Sequence, residues 1–190
     1  MANNISQNVR FFLWRKKLQP SAWSTWLSER TSVEIATLAA LCRGDADDVS
    51  VSDAQVRALS EALECEVEDL RYSNLPSERC NILQENLRYL FRSLQRGGKR
   101  DLASELRIDP TTISRWLNGS SPPQGPSLKN LVSYFGLAPE TDLREDTVFL
   151  SSEPLSLLER RKLIRERVDA LSATEFRELY PALKRLLEER

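Results

Sequence analysis

Residues 109 to 119 read Asp-Pro-Thr-Thr-Ile-Ser-Arg-Trp-Leu-Asn-Gly. On a helix, Thr111, Thr112, Ser114, Arg115 and Asn118 fall outward, while Ile113, Trp116 and Leu117 fall inward. Hydroxyls, an amide and a guanidinium in this array suit hydrogen bonding to another molecule's donor and acceptor edges. Covalent chemistry has little to work with. The chain has no histidine, which removes the usual zinc ligand sets and imidazole acid/base catalysis. Its six glycines form neither Gly-x-x-x-x-Gly-Lys nor Gly-x-Gly-x-x-Gly. No catalytic residue, metal site or cofactor is expected, and an enzyme is the weakest reading.

Such an array needs a helix with defined ends and a second helix to seat it. Asp109 can cap the orphan N–H groups, Pro110 at N1 loses no hydrogen bond, and Gly119 suits a left-handed end. The preceding helix carries Leu102, Ala103 and Leu106 on one face, Ala103 being small enough for a close crossing, with Ile108 in the turn. Lys99 and Arg100 open that helix. Further upstream, Ile82, Leu87, Leu90, Phe91 and Leu94 fall at helical spacing. Arg88, Arg92 and Arg96, four residues apart, form a stripe that is either a phosphate clamp or a solvated face with one structural arginine.

Net charge over the whole chain is −1, but residues 76–136 hold nine Lys/Arg against five Asp/Glu, whereas residues 1–75 hold eight against eleven. Attraction to phosphates depends on the local face, so the middle segment is the one to watch. The 190 residues contain no membrane-length apolar run and no secretion signal at the N-terminus, which makes cytoplasmic the expected location. Cys42, Cys65 and Cys80 are read as small apolar residues.

Nearly every periodic segment reads as helix, with Thr147-Val148-Phe149-Leu150 as the exception of β character, so an all-α fold is expected. Ile5, Val9, Phe12 and Leu13 mark a first helix. Arg43-Gly44, Ala62-Leu63 and Asp69-Leu70 correspond to Asn118-Gly119, Tyr134-Phe135 and Asp142-Leu143 at offsets of 75, 72 and 73 residues, which suggests one helical unit used twice. Ser73 to Glu78 reads as the linker, and Ser-Ser-Glu-Pro at 151 to 154 as a stop and restart. A final pair of amphipathic helices follows. The first carries Leu157, Ile164, Val168 and Leu171; the second opens with the capping box Ser172-x-x-Glu175 and carries Phe176, Leu179, Tyr180, Leu183, Leu186 and Leu187, with Pro181 expected to kink or divide it.

Over roughly residues 80 to 145 the chain resembles the lambda-repressor-like (Xre/Cro type) helix-turn-helix family. The features matching in order are Arg92, Leu102-Ala103, Ile113 to Asn118-Gly119, and Pro126-Ser127-Leu128 leading through Leu131 to Phe135-Gly136-Leu137. The resemblance implies that the helix bearing Thr111, Thr112 and Arg115 enters the major groove of double-stranded DNA, with Asn118 near the backbone or a base edge. Lys99, Arg100, Arg88, Arg96 and Ser114 are then the expected phosphate contacts. Lys99 and Arg100 stand where the family often has Gln. Trp116 is expected in the core and Arg92 as a brace.

The fold expected is therefore two lambda-repressor-like helix-turn-helix domains, residues 1–75 and 76–146, followed by a C-terminal helical pair, residues 147–190. The first domain's counterpart of the reading helix, Ile35 to Arg43, is mostly apolar, and Asp45, Asp47 and Asp48 follow it, so it offers little to a base edge. That helix is either a protein contact or simply buried, and Trp14, Trp23 and Trp26 nearby are core or interface. Phe176, Leu179, Tyr180, Leu183, Leu186 and Leu187 are expected to form a homodimer, or else to fold back on the second domain. The expected function is a sequence-specific, repressor-like DNA-binding regulator. The alternative is an interaction adaptor or antitoxin-like subunit whose N-terminal domain docks a protein partner.

Overall fold

Two buried asparagines organise the chain, as seen in a computed structural model that describes residues 4–44, 50–94, 96–152 and 157–188. The acidic run Asp45, Asp47 and Asp48 lies outside the described residues. The described segments hold twelve α-helices and no strand. The first six are α1 (Ile5–Arg15), α2 (Trp23–Ser28), α3 (Ile35–Arg43), α4 (Asp53–Leu63), α5 (Val67–Arg71) and α6 (Leu75–Arg79). There follow α7 (Ile82–Arg92), α8 (Gly98–Glu105), α9 (Pro110–Asn118), α10 (Gly125–Phe135), α11 (Leu157–Asp169) and α12 (Ala173–Glu188). The all-α expectation holds. None of the described helices is long and apolar enough to cross a membrane.

Local chemistry sets many of the helix ends. Ser52 and Gln55 form a reciprocal capping box on α4, and Ser172 with Glu175 does the same on α12. Asn81 caps α7 by accepting from the Gln84 N–H. Pro181 neither divides nor ends α12, which runs continuously through it.

Two apolar clusters form. The first gathers Val9, Leu13, Trp23, Leu27, Leu38 and Leu59 with other side chains of α1 to α5; the second gathers Leu90, Leu102, Ile113, Trp116, Leu131 and Phe135 from α7 to α10. Trp23 is buried, its indole N–H donating to the Leu18 carbonyl at 3.2 Å, whereas Trp14 and Trp26 are half-buried. Cys42 is buried, and burial pushes its thiol up to about 12; Cys65 and Cys80 are half-buried.

Each cluster is closed by an asparagine of its first helix. Asn8 of α1 donates to the carbonyls of Asp69, Leu70 and Ser73, and accepts from the Leu75 N–H. Asn86 of α7 donates to the carbonyls of Leu143 and Asp146 at 2.9 and 2.6 Å, and accepts from the Phe149 N–H at 3.0 Å. Both side chains are wholly buried. Two residues before each lies another tie: Ser6 donates to the Leu41 carbonyl of α3, and Gln84 donates to the Trp116 and Leu117 carbonyls of α9.

These ties correct two expectations about connecting segments. Ser73 to Glu78 is not an open linker: Asn8 holds it, Leu75 is fully buried, and Pro76 sits in the first turn of α6. Nor is residues 147 to 150 β-like. It is a turn of 3-10 helix, Val148–Leu150, with all three side chains buried. Val148 joins the second cluster, but Phe149 and Leu150 insert into the first, where the Phe149 ring meets Trp14 at 4.8 Å.

Removing the Asn86 amide leaves the buried Leu143 carbonyl and Phe149 N–H without partners, while the Asp146 carbonyl keeps the Val148 N–H. Asn86→Ala should therefore lower stability by about 3 kcal/mol, measured by urea unfolding.

Candidate nucleic-acid interface

The helix α9 is held at both ends. Asp109 accepts from the Thr111 N–H at 2.7 Å, and the hydroxyl and backbone N–H of Thr111 together hold the Asp109 carboxyl below its usual value. At the other end Gly119 adopts a left-handed φ of 77°, and a Cβ there would lie 2.9 Å from the Gln84 Oε1. The positive φ is what calls for glycine here, and a Cβ would in addition push the Gln84 side-chain end aside. Ile113 and Trp116 are buried and Leu117 half-buried, so the apolar side of α9 is fixed on the core.

The opposite side carries the polar array expected to contact DNA. Thr111, Ser114, Arg115 and Asn118 are exposed, and Thr112 is half-buried. The Arg115 guanidinium makes no hydrogen bond or ion pair among the described residues, leaving its donors available. Asn118 is half committed, because its side-chain carbonyl accepts from the Ser120 N–H at 3.0 Å and from the Ser120 hydroxyl at 2.7 Å. Its amide donors remain for a ligand.

Packing of α8 on α9 explains the placement of the basic residues. Leu102 and Ala103 are buried between them, and the turn closes with the Ile108 N–H on the Ala103 carbonyl at 2.9 Å while Arg107 takes a left-handed φ of 52°. Arg96, Lys99, Arg100 and Ser114 line one shallow groove floored by Phe91 and Leu94. None of these three cations has an ion-pair partner among the described residues.

Arg88 stands elsewhere. It is paired with Glu85 and lines a separate cleft beside Trp14, sharing none of the groove's lining. The stripe of Arg88, Arg92 and Arg96 is broken because α7 ends at Arg92 and the chain then turns through Gly97 at φ 92°. Arg92 makes no bracing hydrogen bond among the described residues.

Sequence reasoning missed Gln84, which orients the C-terminal end of α9, and Asn86. A glutamine in a first helical turn is unremarkable by itself. The available signal was the recurrence of Asn-x-Arg at residues 8–10 and 86–88.

At the C-terminus, Ile164 is 63% exposed, Phe176 39%, Leu179 47% and Tyr180 52%. Among the described side chains none of α11 or α12 joins the second apolar cluster, although Arg161, Lys162, Arg165 and Glu166 of α11 line a cleft with Arg92, Leu94 and Tyr134. Leu183 is half-buried, and the side chains of Leu157, Leu186 and Leu187 lie outside the described ones.

The Asp109 cap should give α9 a pH signature. A carboxyl lowered on folding stabilises fully above its unfolded value of about 3.9, and that contribution is lost as pH falls from there through the lower native value. Thermal unfolding by circular dichroism from about pH 5 to about pH 3 should thus show a smaller decline for Asp109→Asn, which retains a neutral cap.

No curated protein and no solved structure matches the chain. A family model described as helix-turn-helix matches residues 93–141, which begin just after α7 and span α8, α9 and α10. Residues 93–141 are thus a helix-turn-helix domain of the lambda-repressor-like type.

Proposed function

We propose that the chain is a sequence-specific DNA-binding regulator, acting as a repressor by occupying its site, with one major-groove reading helix per chain. The observation that carries this reading is the pairing of two features. The exposed face of α9 presents Thr111, Arg115 and the Asn118 amide, and beside it Arg96, Lys99, Arg100 and Ser114 share a groove without a carboxylate in its lining. Arg115 and the threonines address base edges; the groove and the start of α8 receive phosphates. Thr112, half-buried, contributes its hydroxyl at the edge of the contact. Arg88 adds long-range charge only.

The first 75 residues are a degenerate copy of the same unit. In support, Ser6 and Asn8 make ties to α3 and to residues 69–75 like those of Gln84 and Asn86 to α9 and residues 143–149. The α3 face offers Glu34, Ile35, Ala36 and Arg43 to solvent, with Ile35 56% exposed. That set is poor for bases and suits a protein contact.

Phe176, Leu179 and Tyr180 of α12, with Leu183, Leu186 and Leu187, serve as the dimer contact, bringing two α9 helices to half-sites about 34 Å apart. Leu179→Glu should convert a dimer to a monomer in sedimentation equilibrium without loss of helical signal.

Gel-shift titrations at several salt concentrations, on a site selected from random DNA, test the reading. Arg115→Ala should lose about 1–3 kcal/mol of discrimination at one base position. Lys99→Ala should weaken binding to all sequences and reduce the salt slope by about 1. Equal losses on selected and random DNA for Arg115→Ala would rule out base reading by that residue.

A further inference from the structure

A cleft of about 760 Å³ opens where the end of α1 and the loop after it face α7. The α1 side brings Trp14, Arg15 and Lys17 to it. The α7 side brings Glu85, Arg88, Tyr89 and Arg92, whose three- and four-residue spacing puts them on one helix face. Four cations therefore surround one space, and Glu85, the single carboxylate in the lining, is already bonded to Arg88. Lys17 and Arg92 have no ion-pair partner among the described residues. The floor is aromatic: Trp14 and Tyr89 are half-buried, and Trp14 is set edge-on against Phe149 with ring centroids 4.8 Å apart.

Like charges facing one another across water repel, and an anion between them removes that repulsion. Half-buried aromatic side chains in a cleft lining favour a flat apolar body. The volume lies within the rough range of 300–1,000 Å³ usual for small-molecule sites. We infer that this cleft binds a small organic anion carrying a planar ring, with its carboxylate or phosphate held by Arg92 and Lys17 and its ring laid on Trp14 and Tyr89. Arg92 supplies the forked donors that a planar carboxylate or a phosphate accepts in pairs, and Lys17 the point charge. The site shares no lining residue with the groove of Arg96, Lys99, Arg100 and Ser114, so it stands whether or not α9 reads DNA.

Calorimetric titration of the full chain without DNA separates charge from ring. Indole-3-carboxylate and adenosine monophosphate carry both, indole-3-carboxamide carries only the ring, and inorganic phosphate only the charge. At least one of the first two should bind, and whichever binds distinguishes a carboxylate from a phosphate ligand. The other two probes should bind at least about tenfold more weakly than that one. The bound ligand should shift the indole N–H resonance of Trp14, assigned through Trp14→Phe. Arg92→Glu and Lys17→Glu, both at exposed positions, should each weaken binding at least about tenfold with the helical signal intact, while Arg100→Gln leaves it unchanged. Binding of indole-3-carboxamide or phosphate as tight as that of the best ring-bearing anion, binding undiminished in Arg92→Glu, or no heat from any probe at millimolar concentration would overturn the inference.

Discussion

The structure depends above all on the Asn86 side chain, a neutral amide sealed from water that is obliged to find partners. Its carbonyl and both amide hydrogens are met by backbone groups at residues 143, 146 and 149. An unmet buried amide is costly, so these bonds fix where the chain returns after α10. That return buries Leu143 and Val148 on one side and delivers Phe149 and Leu150 to the other. The alignment of α7 follows, and with it the position of Gln84 on the end of α9. The exposed face of α9 is thus held from behind by two neighbouring polar side chains rather than by apolar packing alone.

The residues near α9 were readable because their types are nearly determined by their positions. An aspartate before a proline, an inward Ile-x-x-Trp pair and a terminal glycine leave few alternatives to a capped short helix. The exposed face followed from helical periodicity. The arginine stripe was misleading because the spacing presumes a continuous helix, and α7 stops at Arg92, sending Arg96 toward α8 while Arg88 stays beside α1. Spacing alone carries no information about where a helix will stop.

Connecting segments were less legible for a related reason. Thr147 to Leu150 looked β-like because four residues are too few for periodicity to separate a strand from a buried turn; what decides is the partner, the Asn86 carbonyl oxygen some sixty residues earlier. Asn74-Leu75-Pro76 looked like a breaker, yet proline is well tolerated in the first turn of a helix, and α6 uses it there. In both cases a long-range contact outweighs the local signal.

The division of Val148 from Phe149 and Leu150 between two cores has a consequence for biosynthesis. A ribosome delivers α1 to α5 long before it delivers residue 150, and N-terminal units ordinarily fold as they emerge. Here the first unit leaves the exit tunnel with an unfilled socket beside Trp14 and Arg10, whose guanidinium reaches the Leu150 carbonyl at 3.4 Å. Its completion waits on the second unit, so between the synthesis of residue 71 and that of residue 150 the nascent chain carries an incomplete aromatic core, the interval in which a chaperone would have something to hold.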